Sequence, residues 1–231
     1  MTQANLENRN KYALITGATN GIGFELAKLF ANDGYNLVLV ARNKNRLSEV
    51  TDHLKEQFSV EITPLSKDLY NPYAAEEIYE KTKDMGITIN VLVNDAGHGE
   101  WGPFIETDIE RDLEIIQLNI ASVVSLTKYF LHDMVSRNEG KILILGSEAS
   151  TASTPLPAVQ AGMKSFAASF TSALVTELKD KAITITYCEK SLTEPVDAAK
   201  DGYEALQKGG SVVLEAEVVE YEDKPFKRNS L

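Results

Sequence analysis

The chain is poor in several things that usually announce a function. It has one cysteine, Cys188, in 231 residues, so no intrachain disulfide can form and a reducing compartment, the cytoplasm, is the expected setting. Its three histidines, His53, His98 and His132, are scattered, and with a single cysteine they offer no metal-ligand spacing; no metal is expected. Positive charge is short: 23 Lys and Arg stand against 34 Asp and Glu, a net charge of −11. An acidic surface of that kind repels a phosphate backbone and an anionic bilayer, so neither nucleic acid nor membrane is expected as a partner. The longest apolar runs, Leu37 to Ala41 and Ile142 to Leu145, fall far below the roughly 20 residues of a membrane span. The polar start, Met1 to Lys11, lacks the apolar core of a secretory signal. Gly146-Ser147 lacks the flanks of a nucleophile elbow, and there are no internal repeats or low-complexity segments.

What remains is ordinary globular material, 43% hydrophobic and 25% charged, of a length that suits one domain over residues 1–231 with mobile ends at 1–10 and 220–231. Short apolar runs alternate with helical patterns. Strands are expected at Tyr12 to Thr16, Asn36 to Ala41, Val60 to Leu65, Ile89 to Asn94, Lys141 to Leu145, Ile183 to Cys188 and Ser211 to Leu214. Between them, Gly21 to Asn32 and the Leu47, Val50, Leu54, Phe58 series have helical spacing, and Pro72 opens a further helix. Thr107 and Glu110 form a capping-box pattern before a long helix to Arg137. Pro157 to Asp180 is a second long helix, with Phe166, Phe170, Ala173, Leu174 and Leu178 on one face, and a shorter one covers Val196 to Gln207. Trp101, Pro103 and Phe104 are expected to pack the loop that carries them. Alternating strands and helices, with strands apolar throughout, imply an α/β, Rossmann-like, doubly wound parallel sheet of about seven strands covered by helices on both faces.

The first strand runs into Thr16-Gly17-Ala18-Thr19-Asn20-Gly21-Ile22-Gly23 and then a helix. Glycines there allow a tight turn and let backbone N–H groups approach a pyrophosphate at the positive helix end. A glycine turn alone can be no more than a tight connection; its place at the opening of a βαβ unit is what points to a dinucleotide. An NAD site keeps an acid about 20 residues further on for the ribose hydroxyls. Nineteen residues past Gly23 stands Arg42, with Lys44 and Arg46 behind it and no acid. Cations there suit the additional phosphate of NADP(H), so NADP is favoured over NAD; the alternative is a solvated basic loop.

These features, together with Asp68-Leu69, Asn94-Asp95-Ala96-Gly97, Asn119, Gly140-Lys141 leading to Ser147, and Lys164, resemble the short-chain dehydrogenase/reductase family over residues 11 to 188. The resemblance implies nicotinamide-dependent reduction of carbonyls or oxidation of alcohols. It implies that Gly17, Thr19, Asn20, Gly21, Ile22, Gly23 and Arg42 hold the cofactor, that Asp68 and Leu69 meet the adenine, and that Asn94, Ala96 and Gly97 line the cleft. Thr193 would lie near the carboxamide and Lys164 would grip the nicotinamide ribose. Asp95 stands where the family usually has a second asparagine.

The same resemblance assigns catalysis to a serine, a tyrosine, a lysine one helical turn on and an asparagine. Ser147, Lys164 and Asn119 match three of them, whereas the tyrosine position, thirteen residues past Ser147, holds Gln160. Tyr129 and Tyr187 belong to other elements. A glutamine amide can donate a hydrogen bond but has no proton to release near neutral pH. Glu189-Lys190 replaces the family's Pro-Gly after the sixth strand, and the chain passes directly from Thr193-Glu194-Pro195 into a helix, without the usual segment that covers the substrate. Reductase activity is therefore expected to be weak or lost. The alternatives are a non-catalytic NADP(H)-binding sensor or assembly protein, or a lyase or isomerase step through Lys164 or Glu189. In relatives the two long helices form subunit contacts, and the small face Ala161, Ala168 and Ser172 would admit a partner helix, so a homodimer or homotetramer is expected.

Overall fold

The apolar runs become parallel strands because each is buried from both sides. In a computed structural model of the chain, residues 3–100, 102–148, 157–190, 194–208 and 212–214 are described, with backbone alone for 3–5, 147–148, 189–190 and 212–214. The strands are β1 (Tyr12–Thr16), β2 (Asn36–Ala41), β3 (Ile62–Ser66), β4 (Ile89–Asn94), β5 (Gly140–Glu148), β6 (Ile183–Lys190) and β7 (Val212–Leu214). They pair in parallel in the order β3-β2-β1-β4-β5-β6-β7, giving a seven-stranded sheet. The helices are α1 (Gln3–Asn8), α2 (Gly21–Asn32), α3 (Lys44–Gln57), α4 (Ala74–Asp84), α5 (Ile109–Ile116), α6 (Ser122–Arg137), α7 (Ala158–Glu177) and α8 (Pro195–Lys208).

Alternation along each strand divides the core in two. Ala13, Ile15, Leu37, Leu39, Leu143 and Cys188 face one side with Leu26, Phe30, Leu47, Leu54, Tyr203 and Leu206. Leu14, Val38, Leu92, Ile142, Ile144 and Tyr187 face the other with Ile78, Leu126, Phe130 and Ala167. Phe30 ties α2 to α8 through edge-on contacts with Tyr35 and Tyr203, at 5.4 and 4.8 Å between ring centres. The strand order reverses between β1 and β4, so the turn after β1 and the loop after β4 open on one crevice at the carboxyl ends of the strands. Open α/β sheets bind ligands at such a switch point.

Several expectations are corrected. Residues 3–8 form α1, and the Asn8 Nδ2 donates to the Asp33 carbonyl at 3.1 Å. Residues 220–231 lie outside the described residues, as does Trp101. The cap before Ile109 is Asp108, whose carboxylate accepts the Glu110 and Arg111 amides at 2.9 and 3.0 Å. Thr107 instead donates to Asp112 at 2.8 Å, so the capping-box reading was one residue out. The long helix to Arg137 is interrupted by a wide π turn over Gln117–Ala121, which splits it into α5 and α6. Phe104 does not pack its loop and is 59% exposed.

The fully buried residues of α7 are Gln160, Met163, Ala167 and Thr171, while Phe170, Leu174 and Leu178 are half-buried and pack against the same core. Small Ala167 and Thr171 let the helix lie close to the sheet, while Phe166 and Phe170 stack on each other at 5.5 Å on a half-buried flank and Ala173 is exposed. The helix is apolar or small almost all round, so its periodicity could not single out the buried side.

Candidate active site

Thr16 ends β1 and joins the two halves of the crevice. Its hydroxyl donates to the Val93 carbonyl at 3.3 Å and accepts the Asp95 and Ala96 amides, each at 3.0 Å. This pins the start of the loop after β4 against the glycine turn. Gly17 has φ +70°, and a Cβ there would lie 3.0 Å from the Ala96 nitrogen. At Gly23 a Cβ would come within 2.7 Å of the Gly17 carbonyl and 2.6 Å of the Asp95 carboxylate. The turn is thus closed so tightly that side chains are excluded at Gly17 and Gly23. Asn20 caps α2 without a side-chain hydrogen bond, as at the starts of α4 and α7 and unlike the caps Asn43 of α3 and Asp108 of α5. The first-turn amides of α2 therefore have no side-chain cap as competitor, as an anion-binding turn requires. Thr19 and Ile22 are half-buried beside it and Gly21 is exposed.

On the adenosine side, Arg42 follows β2 and is exposed, its guanidinium 5.4 Å from the centre of the Tyr70 ring. Arg46, from the same basic cluster, is engaged with Glu49 at 2.9 Å. Asp68 follows β3 and accepts the Tyr70 amide at 3.1 Å, and Leu69 is buried next to it. Asn94 is buried at the end of β4 with its Nδ2 3.2 Å from the Thr127 hydroxyl.

Asn119 sits in the π turn, a distortion that recurs at functional sites. Its Nδ2 donates to the carbonyls of His98, at 2.8 Å, and Ile115, at 2.9 Å, and its Oδ1 lies against Gly97. Gln160 comes to the same loop from the other side. Only 5% exposed, its Nε2 donates to the Glu100 carbonyl at 3.1 Å and fills the space that a Cβ at Gly99 would need. Two amides, Asn119 and Gln160, thus clasp residues 97–100. Lys164 is half-buried one turn beyond Gln160 on α7. Ser147 and Glu189-Lys190 belong to β5 and β6, where only the backbone is described, and Thr193 lies outside the described residues.

Tyr187 is fully buried on the sheet floor, its hydroxyl in the space a Cβ at Gly146 would take, so it reaches the residue before Ser147. Burial pushes the Cys188 thiol up to about 11, the behaviour of an inert core residue. A narrow hollow beside Gln160 is lined by Glu100, Thr107, Asp112 and Ile115. Among the described residues there is no cluster of His, Cys, Asp or Glu that could hold a metal, and no helix is long and apolar enough to cross a membrane.

Sequence reasoning missed Gly99, Glu100, Tyr70 and Arg111. None stands in a motif. The clasp uses a backbone carbonyl, and Tyr70 and Arg111 are 41 residues apart in sequence.

A doubly wound parallel sheet with a closed glycine turn and an uncapped helix at its switch point defines a dinucleotide-binding fold of the dehydrogenase type. The family described as short chain dehydrogenase matches residues 11–205, and the chain belongs to it. The very-long-chain 3-oxoacyl-CoA reductase of Rattus norvegicus is 33% identical over 181 residues, which are 76% of this chain but 57% of that protein. The chain therefore spans little more than half the length of this relative. Among solved structures, a short-chain dehydrogenase from Sphingobium yanoikuyae in complex with NADPH superposes with a TM-score of 0.74 at 26% identity, covering 88% of this chain and 87% of the other. The bulky-bulky ketone specific alcohol dehydrogenase from Comamonas testosteroni gives 0.77 at 25% identity, covering 90% and 87%.

Proposed function

We propose that the chain binds NADP(H) in the crevice between the glycine turn and the loop after β4, and that its carbonyl-reducing activity is weak or lost. The cradle that any side chain at Gly23 would fill, the uncapped start of α2 and the unpaired-by-carboxylate Arg42 among the described residues all suit a phosphorylated dinucleotide. In this reading Gly17 to Gly23 receive the pyrophosphate, Arg42 the ribose phosphate, Asp68 and Leu69 the adenine, and Asn94, Ala96, Gly97, Lys164 and Thr193 the remainder. When bound, the cofactor supplies the hydride.

The observation that carries the proposal is the state of Gln160. Its amide is buried and committed to the Glu100 carbonyl. It can hold the loop, but it cannot hand a proton to a developing alkoxide at neutral pH. A positioned acid is typically worth about 10²–10⁴-fold in rate, and its loss leaves Ser147, Lys164 and Asn119 to orient a substrate without completing the step. A second reading, that the site is retained as a nucleotide sensor or assembly switch, is favoured by the same clasp. Asn119 and Gln160 tie residues 97–100 to α5–α6 and to α7, the helices through which a homodimer or homotetramer would form.

The test is a nicotinamide-fluorescence titration with NADPH beside NADH, followed by a turnover assay. The 3-oxoacyl-CoA thioesters named for the relatives are the first substrates to offer, with simple aldehydes and ketones beside them. The proposal expects NADPH to bind more tightly than NADH, with little turnover. Brisk NADPH-dependent reduction by the unaltered chain, or no binding of either nucleotide, would overturn it.

A further inference from the structure

Tyr70 lies between two guanidinium groups. Arg42 approaches its ring at 5.4 Å from the end of β2, and Arg111 of α5 approaches the same ring at 5.5 Å. The ring is held in place from its own backbone, because the Asp68 carboxylate accepts the Tyr70 amide and buried Leu69 anchors the residue between. The two arginines are not equivalent. Arg111 is fixed by Glu100 at 3.2 Å and Glu114 at 2.8 Å, which neutralise it. Arg42 is exposed and has no ion pair with a carboxylate among the described residues; the ring is what orients it.

That asymmetry has a chemical consequence. A guanidinium held over a ring by cation–π attraction is steadied without a carboxylate on its N–H donors, so its fork remains able to take a phosphate bidentately. A carboxylate partner would instead occupy those donors. The ring also restricts a long, exposed side chain that would otherwise lose rotamer freedom on meeting an anion. Arg111 supports the arrangement from α5: its guanidinium lies over the same ring and is paired with two glutamates.

We infer that Tyr70, backed by Arg111, is a positioning residue for Arg42 and sets the preference for a dinucleotide phosphorylated on its adenosine ribose. The inference rests on the reading of Arg42 given under the proposed function, and goes beyond it by naming the residues that make Arg42 selective.

The experiment measures NADPH and NADH affinities by nicotinamide fluorescence for the unaltered chain and for Tyr70→Leu, Tyr70→Phe, Arg111→Gln and Arg42→Gln. A cation–π contact at the surface corresponds to an effect of about two- to fivefold. Tyr70→Leu is expected to weaken NADPH by about that factor and leave NADH unchanged, Tyr70→Phe to retain the preference, and Arg111→Gln to lower it less than Tyr70→Leu. Unchanged NADH affinity shows that the site is still folded. If Arg42→Gln lowers NADPH binding selectively while Tyr70→Leu leaves the ratio unchanged, or weakens both nucleotides equally, the inference is overturned and the reading of Arg42 stands. If Arg42→Gln itself leaves the ratio unchanged, the reading of Arg42 fails, and the inference with it.

Discussion

Gln160→Tyr places a phenol at the position that the resemblance assigns to the acid, and the structure allows both consequences to be worked out. The amide loses its hydrogen bond to the Glu100 carbonyl, a net loss of about 0.5–1.5 kcal/mol. The ring must then enter a position that is 5% exposed and already pressed on Gly99, at an overpacking cost of about 1–3 kcal/mol. Together these come to about 1.5–4.5 kcal/mol, set against an ordinary domain stability of about 5–15 kcal/mol, so the variant stays folded. At roughly 2–4 °C per kcal/mol for a chain of this size, its melting midpoint falls by about 3–18 °C. If the acid is the missing component, NADPH oxidation with a 3-oxoacyl-CoA or ketone substrate rises by about 10²–10⁴-fold. NADPH affinity should stay within about twofold, because Gln160 has no part in the proposed nucleotide contacts. A variant that is folded and binds NADPH, yet gains less than about tenfold in turnover, refutes the reasoning: Glu189-Lys190, or the lack of the covering segment that the resemblance leads one to expect, would then be limiting.

Gly99→Ala drives a methyl onto the Gln160 amide and should cost about 1–3 kcal/mol in urea unfolding, most of it recovered in a Gln160→Ala background; additive losses would dismiss the interlock. Asp95→Asn removes a charge from the floor of the glycine turn and should tighten NADPH binding by about three- to tenfold at low salt, less at high salt. Unchanged or weaker binding would show that the carboxylate does not oppose the pyrophosphate. Cys188, with its thiol raised to about 11, should resist iodoacetamide at pH 8 in the folded chain and react only on unfolding. Because its unfolded value is about 8.5, its contribution to stability is complete below that pH and is lost as pH rises toward 11. Comparing unfolding of the unaltered chain with Cys188→Ala over that range isolates the effect, and rapid labelling of the folded protein at pH 8 would contradict it.

The strands were legible because burial on both sides demands unbroken apolar runs such as Leu37 to Val40 and Val91 to Val93, and no other element of that length tolerates them. The glycine turn was legible for a similar reason: Gly17 and Gly23 are required by a positive φ and a close approach, constraints that leave a mark on composition. The helix faces were less so. In α7 the small residues that permit close packing do not differ in hydropathy from those on its flank, so Ala167 and Thr171 could not be separated from Ala173. The cap at Asp108 was misread by one residue because Thr107 and Asp108 both suit the role, and only the hydrogen bonds distinguish them.

By itself, then, the order of residues determined the class of fold, the family and the amide at position 160, since each depends on local periodicity or on short spacing along the chain. The tertiary structure decided what that amide does, that Asn119 works from a π turn, and that Tyr70 stands between Arg42 and Arg111. These are contacts between segments distant in sequence, made through backbone carbonyls and ring faces. Such partners impose almost no residue pattern of their own, so nothing but the folded geometry records them.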